Sequence, residues 1–236
     1  MGGDGLCLKQ RCDLHHDYVK PFLEKNGVMG MRTGILEALD GVSYVADDSG
    51  RIINFGRRNW NSFAADNNGP DLCDASAFLG RNILDFITGE DVRTAYDRFM
   101  KTLLNGRRKR IVFGFTCDAP QIHRDMRMAI TVIAPQNAPP AFLFQSIVLH
   151  SSERAPIPLF DFRGLLEAAA GSREDLPFLG MYSYCQMVRF PAGSTEETGV
   201  WLPSEDYYRR GGKVPVQISH GICPSCYETK VRTQLE

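Results

Sequence analysis

The segment "ISHGICPSC", residues 218–226, holds three side chains that can bind a soft metal ion, namely His220, Cys223 and Cys226. Cysteines separated by two residues can turn both sulfurs toward one ion, and a proline between them suits the tight turn that this requires. A fourth ligand would complete a tetrahedral zinc site. This segment does not supply one, so a fourth ligand must come from elsewhere in the chain.

Three roles remain open for these cysteines, which are zinc ligands, inert apolar core residues, or a redox-active pair. The redox role is the least favoured, because C-P-S-C does not open a helix within a strand–helix–strand unit, the setting that lowers a thiol pKa. The order H-x-x-C-x-x-C also differs from the C-x-x-C-H of covalent heme attachment. A second group near the N-terminus, formed by Cys7, Cys12, His15 and His16, matches no known ligand pattern.

The composition is that of an ordinary globular protein, since 43% of the 236 residues are hydrophobic and 23% are charged. A formal net charge of -1 and the lack of a long basic block argue against nucleic acid as a partner. No apolar stretch approaches the about 20 residues that span a bilayer. The N-terminus has no signal-peptide pattern, so we expect a cytoplasmic protein with no membrane attachment. Seven cysteines in that compartment favour free thiols or a metal over disulfides.

The first 150 residues contain the clearest secondary-structure signals. Residues 89–106 predict a helix, because apolar side chains recur there at spacings of three and four. Runs rich in β-branched and aromatic residues predict five strands, at 42–46, 51–55, 111–117, 125–133 and 141–149. Two strands, then helices, then three strands predict an α+β fold whose helices cover one face of an antiparallel sheet.

This order of elements resembles that of a PAS domain. Three stretches within residues 33–150 carry the resemblance, which are "ALDGVSYVADDSGRIINFG", "FLGRNILDFITGEDVRTAYDRFM" and "FGFTCDAPQIHRDMRMAITVI". The resemblance implies a five-stranded antiparallel sheet with helices on one face, enclosing a small pocket. It also implies a sensory module that acts through a protein partner, and a homodimer formed through the partly helical N-terminal extension, residues 1–32.

Most cofactors of PAS domains are disfavoured by the residues at the relevant positions. A heme sensor of this fold takes an axial His from its helical segment, and no His stands between His16 and His123. The photoactive flavin type needs a Cys after the Asn of a G-R-N-C stretch, where "GRNILDFI" has Ile83. The chromophore cysteine of the photoactive yellow protein type would fall at residues 89–90, which are Gly and Glu. We therefore expect neither heme nor covalent flavin.

Aromatic and methionine side chains would form the interior of the PAS-like part. They either fill the core at native density or line a cavity for a small, largely apolar organic ligand. These residues are Phe86, Tyr96, Phe99, Met100, Phe113, Phe115, Met128 and Phe144.

Residues 177–236 resemble a cysteine module found at the C-terminus of some bacterial PAS and response-regulator proteins. That module runs C-x-x-C-K-x-[IV]-R, then G-x-W-x-x-x-E-x-Y, then S-H-G-[IL]-C-P-x-C. Its blocks occur here in order at 185–189, 201–208 and 219–226. A linker, 151–176, is expected to separate this module from the PAS-like domain.

One residue departs from the module. Its first cysteine is replaced by Tyr182, and a phenol with a pKa of about 10 is a poor zinc ligand. Either His220 completes a Cys3His zinc site with Cys185, Cys223 and Cys226, or the tail packs without a metal.

Common catalytic signatures such as the P-loop, G-x-S-x-G and H-E-x-x-H do not occur in the sequence, so we expect a protein that is not an enzyme. The first hypothesis is a sensory protein that binds a small ligand, or reports redox or metal state, and signals through a partner. The alternative is an interaction or dimerisation module with no ligand and a purely structural cysteine knuckle.

Overall fold

A computed structural model describes residues 33–67, 73–74, 77–134, 138–161, 176–195, 197–212 and 215–236. The N-terminal extension with its cysteines and histidines, Cys7, Cys12, His15 and His16, lies outside the described residues. So do residues 162–175 of the expected linker. None of the described helices combines the length and apolarity that crossing a bilayer requires.

The regular elements follow the order predicted for the PAS-like part and continue into the cysteine module. In chain order they are α1 (Thr33–Ala38), β1 (Val42–Asp47), β2 (Ile52–Phe55), α2 (Arg57–Asp66), α3 (Glu90–Leu104), β3 (Arg110–Thr116), β4 (Ile122–Ile133), β5 (Ala141–Glu153), β6 (Phe178–Tyr182), β7 (Val188–Phe190), β8 (Val200–Leu202), α4 (Ser204–Arg209) and β9 (Gln217–Gly221). Short 3-10 turns form at Ile83–Phe86 and Pro158–Phe160. A helical run, α5 (224–235), follows β9 and contains a π-helical turn at Tyr227–Arg232.

Five strands form one antiparallel sheet in the order β2-β1-β5-β4-β3, which confirms the α+β class expected from the sequence. Strand β1 pairs with β5, so that Val42 lies opposite Ser146 and Asp47 opposite Ala141. Along β4, Met126 and Met128 are buried while Arg127 between them is exposed. This alternation is what a strand with one covered face requires.

By backbone packing the chain divides into two compact units, and the first contains the described residues up to Ile83 together with Ile130–Ser146. Its helix α2 lies directly after β2, where the sequence predicted helices without bounds. The backbone amides of Arg57 and Arg58 donate to the Glu37 carboxylate at 2.7 and 3.0 Å, which satisfies two free amides of the first helical turn. Trp60 stacks on Phe78 with ring centroids 4.5 Å apart. A cap from 20 residues upstream cannot be recognised in a local sequence window.

The second unit contains Leu84–Ala129 and Ile147–Glu236, and therefore holds α3, β3 and the whole cysteine module. A smaller sheet in this unit has the strand order β8-β7-β6-β9. Its core includes the fully buried side chains of Leu159, Leu179 and Tyr207. Leu159 lies within the range expected to be a linker, so that segment contributes to the core of this unit. The domain boundaries themselves stay a prediction.

Candidate metal centre

Parallel pairing of two strands brings the cysteines together. Strands β6 and β9 pair in parallel, with Tyr182 opposite Gly221 at their ends. Because the ends of parallel strands lie at the same edge of a sheet, the turns that follow them meet there. The amide of Ser183 donates to the Gly221 carbonyl at 2.9 Å and continues the pairing into the turns. Cys185 follows one strand and Cys223 the other.

The two turns share one backbone hydrogen bond, although Gln186 of the first has φ of +52° while Tyr227 of the second is helical. In the first, the amide of Gln186 donates to the Tyr182 carbonyl at 2.8 Å, and in the second the amide of Tyr227 donates to the Cys223 carbonyl at 2.9 Å. Position 182 thus corresponds to position 223, and position 185 corresponds to position 226. The amide of Cys226 also donates to Cys223 Sγ at 3.2 Å. Both turns are therefore built as knuckles, one with two cysteines and one with a single cysteine.

The sulfurs of Cys185, Cys223 and Cys226 converge. All three Sγ atoms lie within 4.8 Å of one another, and those of Cys185 and Cys223 are 4.0 Å apart. A zinc–sulfur bond is about 2.3 Å, so two sulfurs on one tetrahedral zinc stand about 3.8 Å apart. The observed spacing fits a shared ion after small movements. These three cysteines can hold a metal ion.

Burial shapes the chemistry of the free thiols. It raises the pKa of Cys226 to about 12, with a hydrogen bond to Cys223 adding to the rise and the charge of Lys230 opposing it. Burial also raises the pKa of Cys185. These two thiols are protonated near neutral pH and are poor nucleophiles. Cys223, in contrast, is the N-cap residue of α5, so C-P-S-C does open a helix, contrary to the expectation from the sequence. A bound metal ion would instead deprotonate its sulfur ligands.

His220 lies beside the centre but outside the group of three. It stands in β9 opposite Met181, and its Nδ1 atom is 3.4 Å from Ser183 Oγ. Burial lowers its pKa, so the imidazole is neutral at neutral pH, the form that binds metals. The structure brings the three sulfurs of the predicted Cys3His set together. The participation of His220 stays a prediction.

Tyr182 takes part in aromatic packing rather than in the cysteine group. Its ring stacks on Trp201 with centroids 3.6 Å apart and an interplanar angle of 18°. The Arg189 guanidinium lies 5.6 Å from the Trp201 ring centre. The tyrosine at position 182 therefore contributes ring stacking across the face of the small sheet, with a residue of β8, in place of a sulfur ligand.

The cysteine edge of the small sheet presses against the start of α3. At Gly89, which caps α3 with φ of +92°, an added Cβ would lie 2.7 Å from the carbonyl oxygen of His220. That distance is closer than side-chain carbons tolerate, so only glycine allows the approach. A cleft of about 370 Å³ lies between α3 and α5, and its lining includes Ala95, Ile222 and Val231. None of the eight predicted pocket residues lines this cleft.

The module also occupies the outer edge of β3. The amide of Thr116 donates to the carbonyl of Tyr184 at 3.0 Å, and the amide of Val112 donates to Gln234 Oε1 at 3.3 Å. Just beyond the strand, the amide of Asp118 donates to Gln186 Oε1 at 3.2 Å. Two of these three acceptors belong to residues adjacent to Cys185. The turn that carries this cysteine is thereby hydrogen-bonded directly to the PAS-like sheet.

An ion-pair network supports the same contact. The Asp118 carboxylate, 3% exposed, accepts from Arg154 at 2.6 Å, and Arg154 also bonds Glu205 at 2.8 Å. His123 Nδ1 lies 3.0 Å from the other carboxylate oxygen of Asp118. The buried Asp118 carboxylate therefore joins His123 of β4 to Arg154, the residue after β5, and Arg154 in turn reaches Glu205 of α4 in the module.

The predicted pocket residues divide between the two units. Phe144 belongs to the first, where it is buried and stacks on Tyr44 at 4.8 Å. In the second unit Phe99, Met100, Phe113 and Met128 are buried, Tyr96 and Phe115 are half-buried, and Phe86 is 37% exposed. Whether any of these eight lines a ligand cavity stays a prediction.

Tyr184 is a residue that the sequence did not single out. It is 3% exposed and packs edge-to-face on Phe113, with ring centroids 5.3 Å apart. Its hydroxyl is buried and has no hydrogen-bond partner among the described residues. Burial raises the pKa of this phenol. The only sequence signal was its position next to Cys185, which gave no reason to expect an insertion into the interior beside β3.

No known family profile matches the chain, and no curated protein does either. Among solved structures it is similar to the PAS domain of Bordetella pertussis BvgS, with 15% identity, a TM-score of 0.39, and coverage of 58% of this chain and 94% of that one. It is also similar to the PAS domain of a Desulfitobacterium hafniense protein, with 12% identity, a TM-score of 0.35, and coverage of 49% and 99%. These similarities concern the fold and carry no information on a ligand or partner.

Proposed function

We propose that this chain is a non-catalytic sensory protein whose C-terminal cysteine centre binds Zn²⁺ and passes the state of that centre to a protein partner. The convergence of Cys185, Cys223 and Cys226 within 4.8 Å carries the proposal. When bound, zinc would be held by these three sulfurs, with His220 or an outside ligand in the remaining position. The ion would tie together the two turns that carry these sulfurs.

The route from the centre to the rest of the unit supports a sensory role over an isolated structural one. Cys185 lies between Tyr184 and Gln186, and both of these neighbours accept hydrogen bonds from backbone amides at or just after β3. On the other side, His220 touches the start of α3 at Gly89. A change in ligation at Cys185 or Cys223 therefore moves groups that are in direct contact with β3 and α3.

The zinc content of the purified protein tests whether the cysteine centre binds Zn²⁺. Native and denaturing mass spectra of the purified full chain are expected to differ by one zinc ion. Cys223→Ser should lose the zinc ion. Mutation of an outer-shell partner already lowers metal affinity by about 10–100-fold, and loss of a direct ligand should lower it at least as much. Cys73→Ser is the matched control, since this thiol is half-buried and outside the group. Zinc retained by both variants, or absent from the wild type at saturating zinc, would reject the centre.

Amide hydrogen exchange tests the coupling. Removal of zinc with a chelator is expected to accelerate exchange at Val112, Thr116 and Asp118, whose amides bond the module. The amide of Phe99, inside α3, is the internal reference. Unchanged exchange at the three amides after complete zinc loss would separate the centre from any signalling role. A partner is then sought by affinity capture on zinc-loaded wild type against Cys223→Ser, where identical captured sets would contradict zinc-dependent signalling.

A second candidate function is an interaction module in which the knuckle is only structural. Ring-on-ring packing favours it, because Phe99 lies 5.5 Å and Tyr96 5.9 Å from Phe113, so that these side chains already contact one another. In that case zinc removal would unfold α5 and the small sheet together, while capture of a partner would depend on folding and not on zinc occupancy.

A further inference from the structure

We infer that the sulfurs of Cys185, Cys223 and Cys226 also bind trivalent arsenic, taken up as neutral arsenite. The inference rests on the proposed metal-binding role of the same site. Trivalent arsenic is thiophilic, as soft ions are toward cysteine sulfur. It forms three bonds and keeps a lone pair where a fourth ligand would stand. Three converging sulfurs match that valence, whereas tetrahedral zinc needs a ligand from outside the group.

The number of sulfurs follows from the two knuckles. The two turns share one backbone hydrogen bond, from the fifth residue to the first, and a cysteine at each of the four corresponding positions would give four sulfurs. The fourth position holds Tyr182, which has no sulfur, and its ring stacks on Trp201 at 3.6 Å. With tyrosine at position 182, the two turns present three sulfurs to one point. This number of sulfurs favours ions that form three bonds.

The reaction balances without an oxidant or a reductant. Each thiol transfers its proton to one hydroxyl group of arsenous acid, three As–O bonds break, three As–S bonds form, and three water molecules leave. The product carries no net charge, while zinc on three thiolates carries one negative charge. Burying a net charge is costly, so the neutral product suits a site in which Cys226 is buried. Cys185 and Cys223 are half-buried, which leaves the centre accessible to a small neutral acid.

Native mass spectrometry of the full chain, reduced with a phosphine and given one equivalent of sodium arsenite, tests the inference. We expect a mass gain of one arsenic atom less three hydrogens in the wild type and in Cys73→Ser. Cys223→Ser should lose the adduct. As a second measurement, arsenite should protect Cys185 and Cys223 of the wild type from alkylation while leaving Cys73 unprotected. Tyr182→Cys, which supplies a fourth sulfur, should raise the affinity for zinc relative to that for arsenite, when compared with wild type.

The outcomes separate this inference from the proposed function. Zinc binding without an arsenite adduct overturns the inference and leaves the zinc centre intact. An adduct that survives in Cys223→Ser, with no protection of Cys185, overturns it as well, because other cysteines are then responsible. Failure of both ions to bind rejects the inference and the proposed centre together. An adduct confined to these cysteines supports the inference whether or not zinc binds.

Discussion

The contact between Gly89 and His220 gives the sharpest test of how the cysteine centre depends on α3. Gly89 precedes α3 and Gly106 follows it, and both have positive φ, of +92° and +69°. An added Cβ meets the His220 carbonyl oxygen at 2.7 Å in the first case and no atom within 4 Å in the second. Substitution by alanine therefore introduces positive-φ strain at both sites and a collision at only one, and the strain is larger at Gly89, whose ψ of 126° lies outside the left-handed helical region.

The magnitudes follow from this difference. A Cβ at positive φ costs about 1–2 kcal/mol, so Gly106→Ala should lower the free energy of unfolding by that amount and leave zinc binding unchanged. Gly89→Ala should lower it by at least about 1 kcal/mol more, since the His220 backbone must move or stay strained. His220 lies three residues before Cys223, so this movement should also displace the second knuckle and reduce zinc affinity by about tenfold.

Urea denaturation and a zinc competition titration against a chromogenic chelator measure the two effects. Fluorescence of Trp201, which stacks on Tyr182 beside the centre, adds a local probe. Equal losses of stability in the two variants, with equal zinc affinities, would refute the idea that α3 supports the centre through this contact. Loss of zinc affinity in Gly106→Ala alone would refute it as well.

Two further predictions concern the contact between the module and β3. Tyr184→Phe should raise the free energy of unfolding by about 1 kcal/mol, because the buried hydroxyl has no partner among the described residues. Thermal or urea unfolding measures this change. If the free energy of unfolding falls by that amount instead, the hydroxyl bonds a bound group. Asp118→Asn should lower the same free energy by about 2 kcal/mol, less than the about 3–5 kcal/mol of a fully broken buried pair, because Arg154 keeps Glu205. Glu205→Gln is the matched control. It should lower the free energy of unfolding by only about 0–1 kcal/mol, since this carboxylate is 40% exposed. Equal losses of stability in the two variants would contradict the prediction.

The strands and the long helix of the PAS-like part were predictable, because their periodicity is local. Helix α3, with Val92, Phe99 and Leu103 buried, and strand β4, with its alternating methionines, show the patterns that the sequence indicated. Helices were predicted between β2 and β3, but the position of α2 was not, because its amides are capped by Glu37 and its Trp60 is held by Phe78. Both of these partners are distant in sequence.

The cysteine centre was only partly predictable. The C-x-x-C spacing of Cys223 and Cys226 indicated one knuckle, and the resemblance to a cysteine module implied Cys185. The meeting of the two depends on parallel pairing of β6 with β9, strands separated by more than 30 residues. No periodicity within either segment encodes that pairing. The roles of Tyr184 and Gln186 at the β3 edge were missed for the same reason.

Parallel pairing of β6 and β9 has a consequence for protein engineering. Strand β7 runs away from the cysteine edge, so the loop between Phe190 and Val200 lies at the opposite edge of the small sheet. A fluorescent reporter or an affinity tag inserted in that loop would lie on the far side of the sheet from the sulfurs.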